Sequence, residues 1–95
     1  MKDILPSHQL DVLFDAVMSL DTREDCYAFF ADLCTMSELR AMSQRFHVAQ
    51  MLHLGNVYAD IVAETGASTA TISRVNRALL YGADGYKRIL DGPIE

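Results

Sequence analysis

The stretch that decides the fold is VYADIVAETGASTATISRVNRALL, residues 57–80. Gly66 suits the left-handed backbone conformation that ends a helix, and the Ser68 hydroxyl can then accept a hydrogen bond from a free amide of a second helix. The apolar side that would hold the two helices together consists of Ile61, Val62, Ala67, Ile72 and Val75. The stretch therefore predicts a helix-turn-helix.

The second helix of this pair has two chemically different faces when it is turned by about 100° per residue. Ile72, Val75 and Leu79 recur at the spacing of an inward face, whereas Arg74 and Arg77 lie on the opposite face without an acidic neighbour. The first turn is small and polar, so it would fit a major groove about 12 Å wide and offer hydroxyls to bases or phosphates. The candidate DNA-binding residues are therefore Ser68, Thr69, Ala70, Thr71, Ser73, Arg74 and Arg77.

Charge is unevenly distributed along the chain. The net charge is −5, and residues 1–38 hold eight acids and two bases, whereas residues 69–90 hold four bases (Arg74, Arg77, Lys87 and Arg88) against Asp84 alone. Exposed charges that lie more than a Debye length of about 8 Å from a partner are largely screened. An acidic chain can therefore bind DNA with its basic end, where Lys87 and Arg88 would add contacts to the DNA backbone.

A protein-interaction module is the alternative to a DNA-binding function, because the basic surface is thin and the N-terminal half is acidic. Such a module would keep the helix-turn-helix shape but dock a protein partner. Retention on heparin or bulk DNA at low salt, with elution as the salt rises, distinguishes the two functions.

The rest of the chain predicts further helices and no strands. We expect one domain over residues 1–95, with a loose arm at residues 1–7, dimerisation helices within residues 8–54, the helix-turn-helix at residues 57–80 and a C-terminal helix at residues 84–91. The expected fold class is all-α with about six helices. A chain of 95 residues buries only a modest core by itself, so a homodimer is the economical arrangement.

Capping patterns and apolar stripes place the helices within residues 8–54. The first helix is predicted at residues 8–20, the second starts from a capping box at Asp21 and reaches Cys34, and the third follows a capping box of Thr35 and Glu38. The inward residues are expected to be Tyr27, Phe30, Leu33 and Cys34 on the second helix, and Leu39, Met42, Phe46, Ala49 and His53 on the third. Phe29 falls off the second helix's stripe, which indicates a helix covered on two sides.

Two motifs in this order resemble the Trp repressor superfamily: TMSELRAMSQR at residues 35–45 and GASTATISR at residues 66–74. RVNRALLYGADGY, residues 74–86, is similar to the YerC/YecD-type branch of that superfamily. The similarity extends from about residue 27 to residue 90. It implies an intertwined homodimer and a DNA-binding transcriptional regulator, most simply a repressor.

The resemblance also implies a pocket for a small effector. In Trp repressors, arginines at the positions of Arg45 and Arg74 flank the indole of bound tryptophan, and guanidinium planes can stack on an aromatic ligand or bind a carboxylate. Val75 stands where the family has a glycine that leaves room for the indole, and Ala78 stands where it has a serine. We therefore expect no obligatory cofactor, with tryptophan or another small aromatic molecule as the effector to test.

Several other classes of protein are not indicated by the sequence. No apolar run approaches the roughly 20 residues that span a bilayer, and no nucleophile with a base, phosphate-binding glycine loop or metal-ligand spacing is present. Cys26 and Cys34 would lie about 12 Å apart along one helix, too far for a disulfide. They are expected to be core thiols of a cytoplasmic protein.

The function predicted from these observations is that of a homodimer binding double-stranded DNA in a sequence-specific way. Each subunit would place the helix from about Thr69 to Leu80 in a major groove. In two-fold helix-turn-helix dimers the half-sites lie about 34 to 36 Å apart, so the operator is expected to be roughly palindromic.

Overall fold

A computed structural model describes residues 6–92, which form six helices and no strand. The helices are α1 (His8–Met18), α2 (Arg23–Leu33), α3 (Met36–His53), α4 (Tyr58–Thr65), α5 (Thr69–Tyr81) and α6 (Gly85–Leu90). The all-α prediction is confirmed. Residues 1–5 of the predicted arm lie outside the described residues, whereas Ser7 caps α1 by accepting a hydrogen bond from the Leu10 amide at 3.1 Å.

The cap of α2 lies one residue later than the sequence predicted. Thr22, not Asp21, is the N-cap, and its hydroxyl accepts a hydrogen bond from the Asp25 amide at 3.0 Å. Thr22 has the extended backbone that an N-cap requires, and threonine is a usual residue there. The Asp21 amide donates to the Asp25 carboxylate at 3.4 Å, so Asp21 forms part of the chain that enters the helix.

The capping box predicted at the start of α3 is present in full. The Glu38 amide donates to the Thr35 hydroxyl at 3.0 Å, and the Thr35 amide donates to the Glu38 carboxylate at 2.8 Å. Hydrogen bonds to the Glu38 carboxylate, from the backbone of Thr35 first and from its side chain second, lower the pKa of Glu38 from its ordinary value. Since the pKa is lower in the folded chain, this stabilisation is present above the unfolded pKa and is lost as the pH falls through the folded one.

Thr35→Ala is expected to lower the free energy of unfolding by about 1 kcal/mol, because the Glu38 amide then loses its hydrogen-bond acceptor at the helix end. Urea unfolding followed by circular dichroism at one protein concentration measures the change. Ser37→Ala is the matched control, since Ser37 is also exposed in the first turn of α3. Equal stability of the two variants would contradict a capping role for Thr35.

The described chain groups into two compact units, one up to Arg40 and the other from Ala41 onward. The second unit contains the hydrophobic core, which is formed by Val48, Ala49, Ile61, Ala67, Ile72 and Val75. Tyr86 and Leu90 of α6 pack against this core, and the Tyr86 ring stacks on Phe46 with centroids 6.5 Å apart. The last part of α3, both helices of the helix-turn-helix and α6 therefore share one core.

Three side-chain positions in this unit, those of Val48, His53 and Val62, differ from the predictions. Val48 and Ala49 are both fully buried, so the buried side of α3 is turned relative to the predicted stripe. His53, expected at the end of that stripe, is exposed, and its Nε2 lies 3.6 Å from a carboxylate oxygen of Asp91. Val62 is 38% exposed because it follows Ile61 directly and points about 100° away from the buried face of α4.

The first unit differs from the second in burial, because neither α1 nor α2 contains a buried residue. Tyr27 and Leu33, predicted to face inward, are 74% and 49% exposed, and Cys26 is an exposed free thiol rather than a core residue. Phe29 and Phe30 are half-buried. The apolar side chains of these helices follow the predicted spacing, but within the described chain nothing covers them fully.

Candidate nucleic-acid interface

The turn between α4 and α5 has the predicted local geometry. Gly66 ends α4 with a φ of 73°, in the left-handed region that residues with a Cβ adopt only with strain. Ser68 then caps α5: its oxygen accepts from the Thr71 amide at 3.1 Å, and its hydroxyl donates to the Thr71 Oγ1 atom at 3.1 Å. The Ser68 hydroxyl is thus used within the turn, where it sets the direction of α5.

A hydrogen bond from outside the pair holds the turn in place. The side-chain amide of Gln44 on α3 donates to the carbonyl of Thr65, the last residue of α4, at 3.2 Å. The Thr65 hydroxyl donates to the Ile61 carbonyl at 2.7 Å and accepts from the Ala67 amide at 3.1 Å. Gln44 and Thr65 therefore position the helix-turn-helix, a role that sequence analysis missed because the two residues are 21 positions apart.

Helix α5 separates its side chains into a buried face and an exposed face, as predicted. Ile72 and Val75 are 0% and 2% exposed, and Leu79 is nearly buried. All the candidate DNA-binding residues except Thr71 are exposed, and Thr71 is half-buried beside Ser68. The hydroxyls that are free of the cap on this exposed face are those of Thr69 and Ser73.

The exposed face of α5 is positive. Arg74 and Arg77 are exposed, and the helix has no acidic residue. Among residues 6–92 the one basic side chain that lies within 4 Å of a carboxylate is His53, beside Asp91, so neither arginine has a carboxylate partner in the described part of the chain. Lys87 and Arg88 on α6 are exposed as well.

The first helix of the pair has the opposite charge. α4 contains Asp60 and Glu64, both exposed, and no basic residue. Phosphate groups would be repelled by this surface at close range. An anionic partner of the helix-turn-helix therefore meets favourable charge on α5 and α6 and unfavourable charge on α4.

Arg45, a candidate for the effector pocket, lies on α3 in line with its buried side. It precedes Val48 and Ala49 by three and four residues, the spacing at which helical side chains share a face. Its own side chain is exposed. Val75 is buried in the core, and Ala78 is exposed and apolar.

Comparison with known proteins agrees with this geometry. The family model described as "Trp repressor protein" matches residues 8–93. The chain belongs to the Trp repressor family. This is a family of regulators rather than of enzymes, and the resemblance inferred from residues 35–45 and 66–86 is confirmed.

Relatives within the Trp repressor family are similar over nearly the whole chain. The uncharacterized protein YerC of Bacillus subtilis (strain 168) is 54% identical over 89 residues, which cover 94% of this chain and 86% of YerC. A crystal structure of a candidate Trp repressor from Staphylococcus aureus is 55% identical, has a TM-score of 0.87 and is matched over 90% of this chain and 86% of its own. The structure of a TrpR-like protein from Eubacterium eligens ATCC 27750 is 50% identical, has a TM-score of 0.89 and is matched over 92% and 90%.

Among residues 6–92, no helix is both long and apolar enough to cross a membrane. In the same residues, no three histidine, cysteine, aspartate or glutamate side chains are grouped so that they could hold a metal ion.

Proposed function

We propose that the chain is a homodimeric, sequence-specific DNA-binding transcriptional repressor that places α5 of each subunit in a major groove. The observation that carries this proposal is the exposed face of α5, where Arg74 and Arg77 have no acidic neighbour on the helix. Membership of the Trp repressor family supports the same function.

In the proposed complex the residues of α5 have different tasks. Thr69, Ala70 and Ser73 lie in or beside the first turn, where small side chains let the helix approach base edges closely. Thr71 and Ser68 hold the cap that orients this turn. Arg74 and Arg77 bind phosphates or bases, and Lys87 and Arg88 add contacts to the backbone.

The homodimer is supported by the helices of the first unit. α1 and α2 have no buried residue although each carries large apolar side chains, for example Phe14 and Leu33, which are 48% and 49% exposed. Burying apolar area contributes roughly 25 cal/mol per Å², so a second copy of the chain that covers these helices would stabilise both. A two-fold dimer of this kind requires half-sites about 34 to 36 Å apart.

Selection of bound oligonucleotides from a random duplex pool tests the proposal directly. Enrichment of a roughly palindromic sequence is the expected result, and the same protein should bind heparin and elute as salt rises. A dimer that passes through both heparin and bulk DNA columns at low salt would instead indicate the protein-interaction module. A strictly monomeric protein would contradict the dimeric mode of binding.

We further propose that the operator is bound without tryptophan. Arg45 and Arg74 are exposed and would be available to a ligand, but Val75 is buried where the resemblance to Trp repressors gives a glycine, and Ala78 lacks the expected hydroxyl. A tryptophan placed there would meet a branched side chain, and its buried amino group would be left without a hydrogen-bond partner, which costs roughly 1 to 3 kcal/mol.

Saturating tryptophan is therefore expected to leave the affinity for the selected operator unchanged. Fluorescence anisotropy with a labelled duplex measures the affinity, and isothermal titration calorimetry of the DNA-free dimer measures ligand binding itself. Other aromatic metabolites are compared in the same assay, because the two arginines suit an aromatic carboxylate of another shape. Tighter operator binding in the presence of tryptophan would contradict the proposal.

A further inference from the structure

Tyr81 is the last residue of α5 and is 79% exposed. It follows Arg77 by four residues and Arg74 by seven, so it lies on the same face of the helix as the two arginines. Ala70 lies at the other end of this row. We define the row Ala70, Arg74, Arg77 and Tyr81 as the outer row of α5.

The outer row is longer than the major groove is wide. With a rise of about 1.5 Å per residue, Ala70 and Tyr81 are roughly 16 Å apart along the helix axis. The major groove is about 12 Å wide. A helix that seats Ala70 on base edges and continues across the groove therefore brings its last turn to the sugar-phosphate wall, where Tyr81 meets phosphates rather than bases.

We propose that the Tyr81 hydroxyl donates a hydrogen bond to a DNA phosphate, and that α5 crosses the groove and ends at its sugar-phosphate wall. This inference rests on the proposed function and names a contact that fixes the position of α5 on the duplex. Tyrosine is one of the side chains that donate to phosphate oxygens, and its ring can cover sugar carbons while the hydroxyl stays polar.

The surroundings of Tyr81 are compatible with this contact. The residue two positions before it, Leu79, points into the core, so the orientation of the last turn is set by packing. Asp84 is exposed in the following turn and would be unfavourable near phosphate, but Lys87 and Arg88 of α6 follow it. The balance of charge in residues 82–90 is thus positive.

Two substitutions test the hydroxyl. Tyr81→Phe and Tyr81→Ala should each weaken operator binding by about tenfold, because the dimer loses two hydrogen bonds to phosphate, one per subunit, at about threefold each. Tyrosine carries no charge, so the slope of log K against log salt should stay unchanged. Leu80→Ala is the control: Leu80 is 52% exposed in the same turn, but it lies about 100° away from Tyr81 around the helix.

Light scattering and circular dichroism establish that the variants remain folded with the oligomeric state of the wild type. Wild-type affinity in Tyr81→Phe and Tyr81→Ala would overturn the inference while leaving the proposed function intact. A change of oligomeric state on loss of Tyr81 would also overturn it, since the residue would then belong to a subunit contact. Failure of the wild-type protein to bind any duplex would overturn the proposed function itself.

Nitration of tyrosines by tetranitromethane gives a second measurement on the wild-type protein. Operator DNA should protect Tyr81 from nitration compared with the DNA-free dimer. Equal nitration of Tyr81 with and without operator would overturn the inference.

Discussion

Arg77→Ala is expected to weaken binding to every DNA sequence by about a hundredfold at ~0.1 M salt, because each phosphate contact that is lost costs about tenfold there and a dimer loses two. The slope of log K against log salt should become shallower by about 2 per dimer. Arg77 is exposed in the outer row of α5 and has no carboxylate partner among residues 6–92, so its charge is fully available to phosphate.

The salt dependence is measured by fluorescence anisotropy with the selected operator and with an unrelated duplex. Arg23→Ala is the matched control, because it removes the same charge from the exposed, acid-rich start of α2. The control separates a local contact from a general change in net charge. An unchanged slope in Arg77→Ala would remove this residue from the interface.

Ile72→Ala is expected to lower the free energy of unfolding by about 2 to 5 kcal/mol, the usual cost of removing a large aliphatic side chain from a packed core. Ile72 is fully buried and belongs to the cluster that joins the end of α3 to both helices of the pair. Because it also lies between Thr71 and Ser73, a cavity here would loosen the turn of α5 that is proposed to enter the groove.

Urea unfolding at fixed protein concentration measures this loss, and Ile89→Ala serves as the control. The same atoms are removed from Ile89, which is 66% exposed on α6. The difference between the two variants reports burial rather than helix propensity, since both positions are helical. A loss of less than about 0.5 kcal/mol in Ile72→Ala, the range of ordinary surface substitutions, would contradict its place in the core.

The distribution of charge determines which surface of this acidic chain can contact DNA. The eight acids of residues 1–38 and the two of α4 oppose binding, whereas α5 and α6 carry four bases and no acid within their helical residues. The duplex is therefore expected to contact α5 and α6 and to leave α4 at the edge. This arrangement explains why the proposed contacts continue toward the end of α5 rather than along the first helix of the pair.

Much of the interface could be predicted from the sequence, because its elements depend on residues close together along the chain. The Gly66 turn, the Ser68 cap and the box of Thr35 and Glu38 each involve backbone and side chains within four residues. The faces of α5 follow from helical geometry alone, so the exposure of Arg74 and Arg77 and the burial of Ile72 were predictable. The Trp repressor family was recognisable for the same reason, since its motifs are short and local.

Only the tertiary structure decided which side of each helix is covered. Val48 rather than His53 is buried on α3, and Val62 is exposed, because these positions depend on which distant helix packs against them. The Gln44 bond to the Thr65 carbonyl and the stacking of Phe46 on Tyr86 join residues at least 21 positions apart, which no local pattern specifies. The sequence by itself therefore determined where the helices lie along the chain and which residues form the exposed face of α5. Long-range packing decided which side of the other helices is buried and how α5 is oriented on the core.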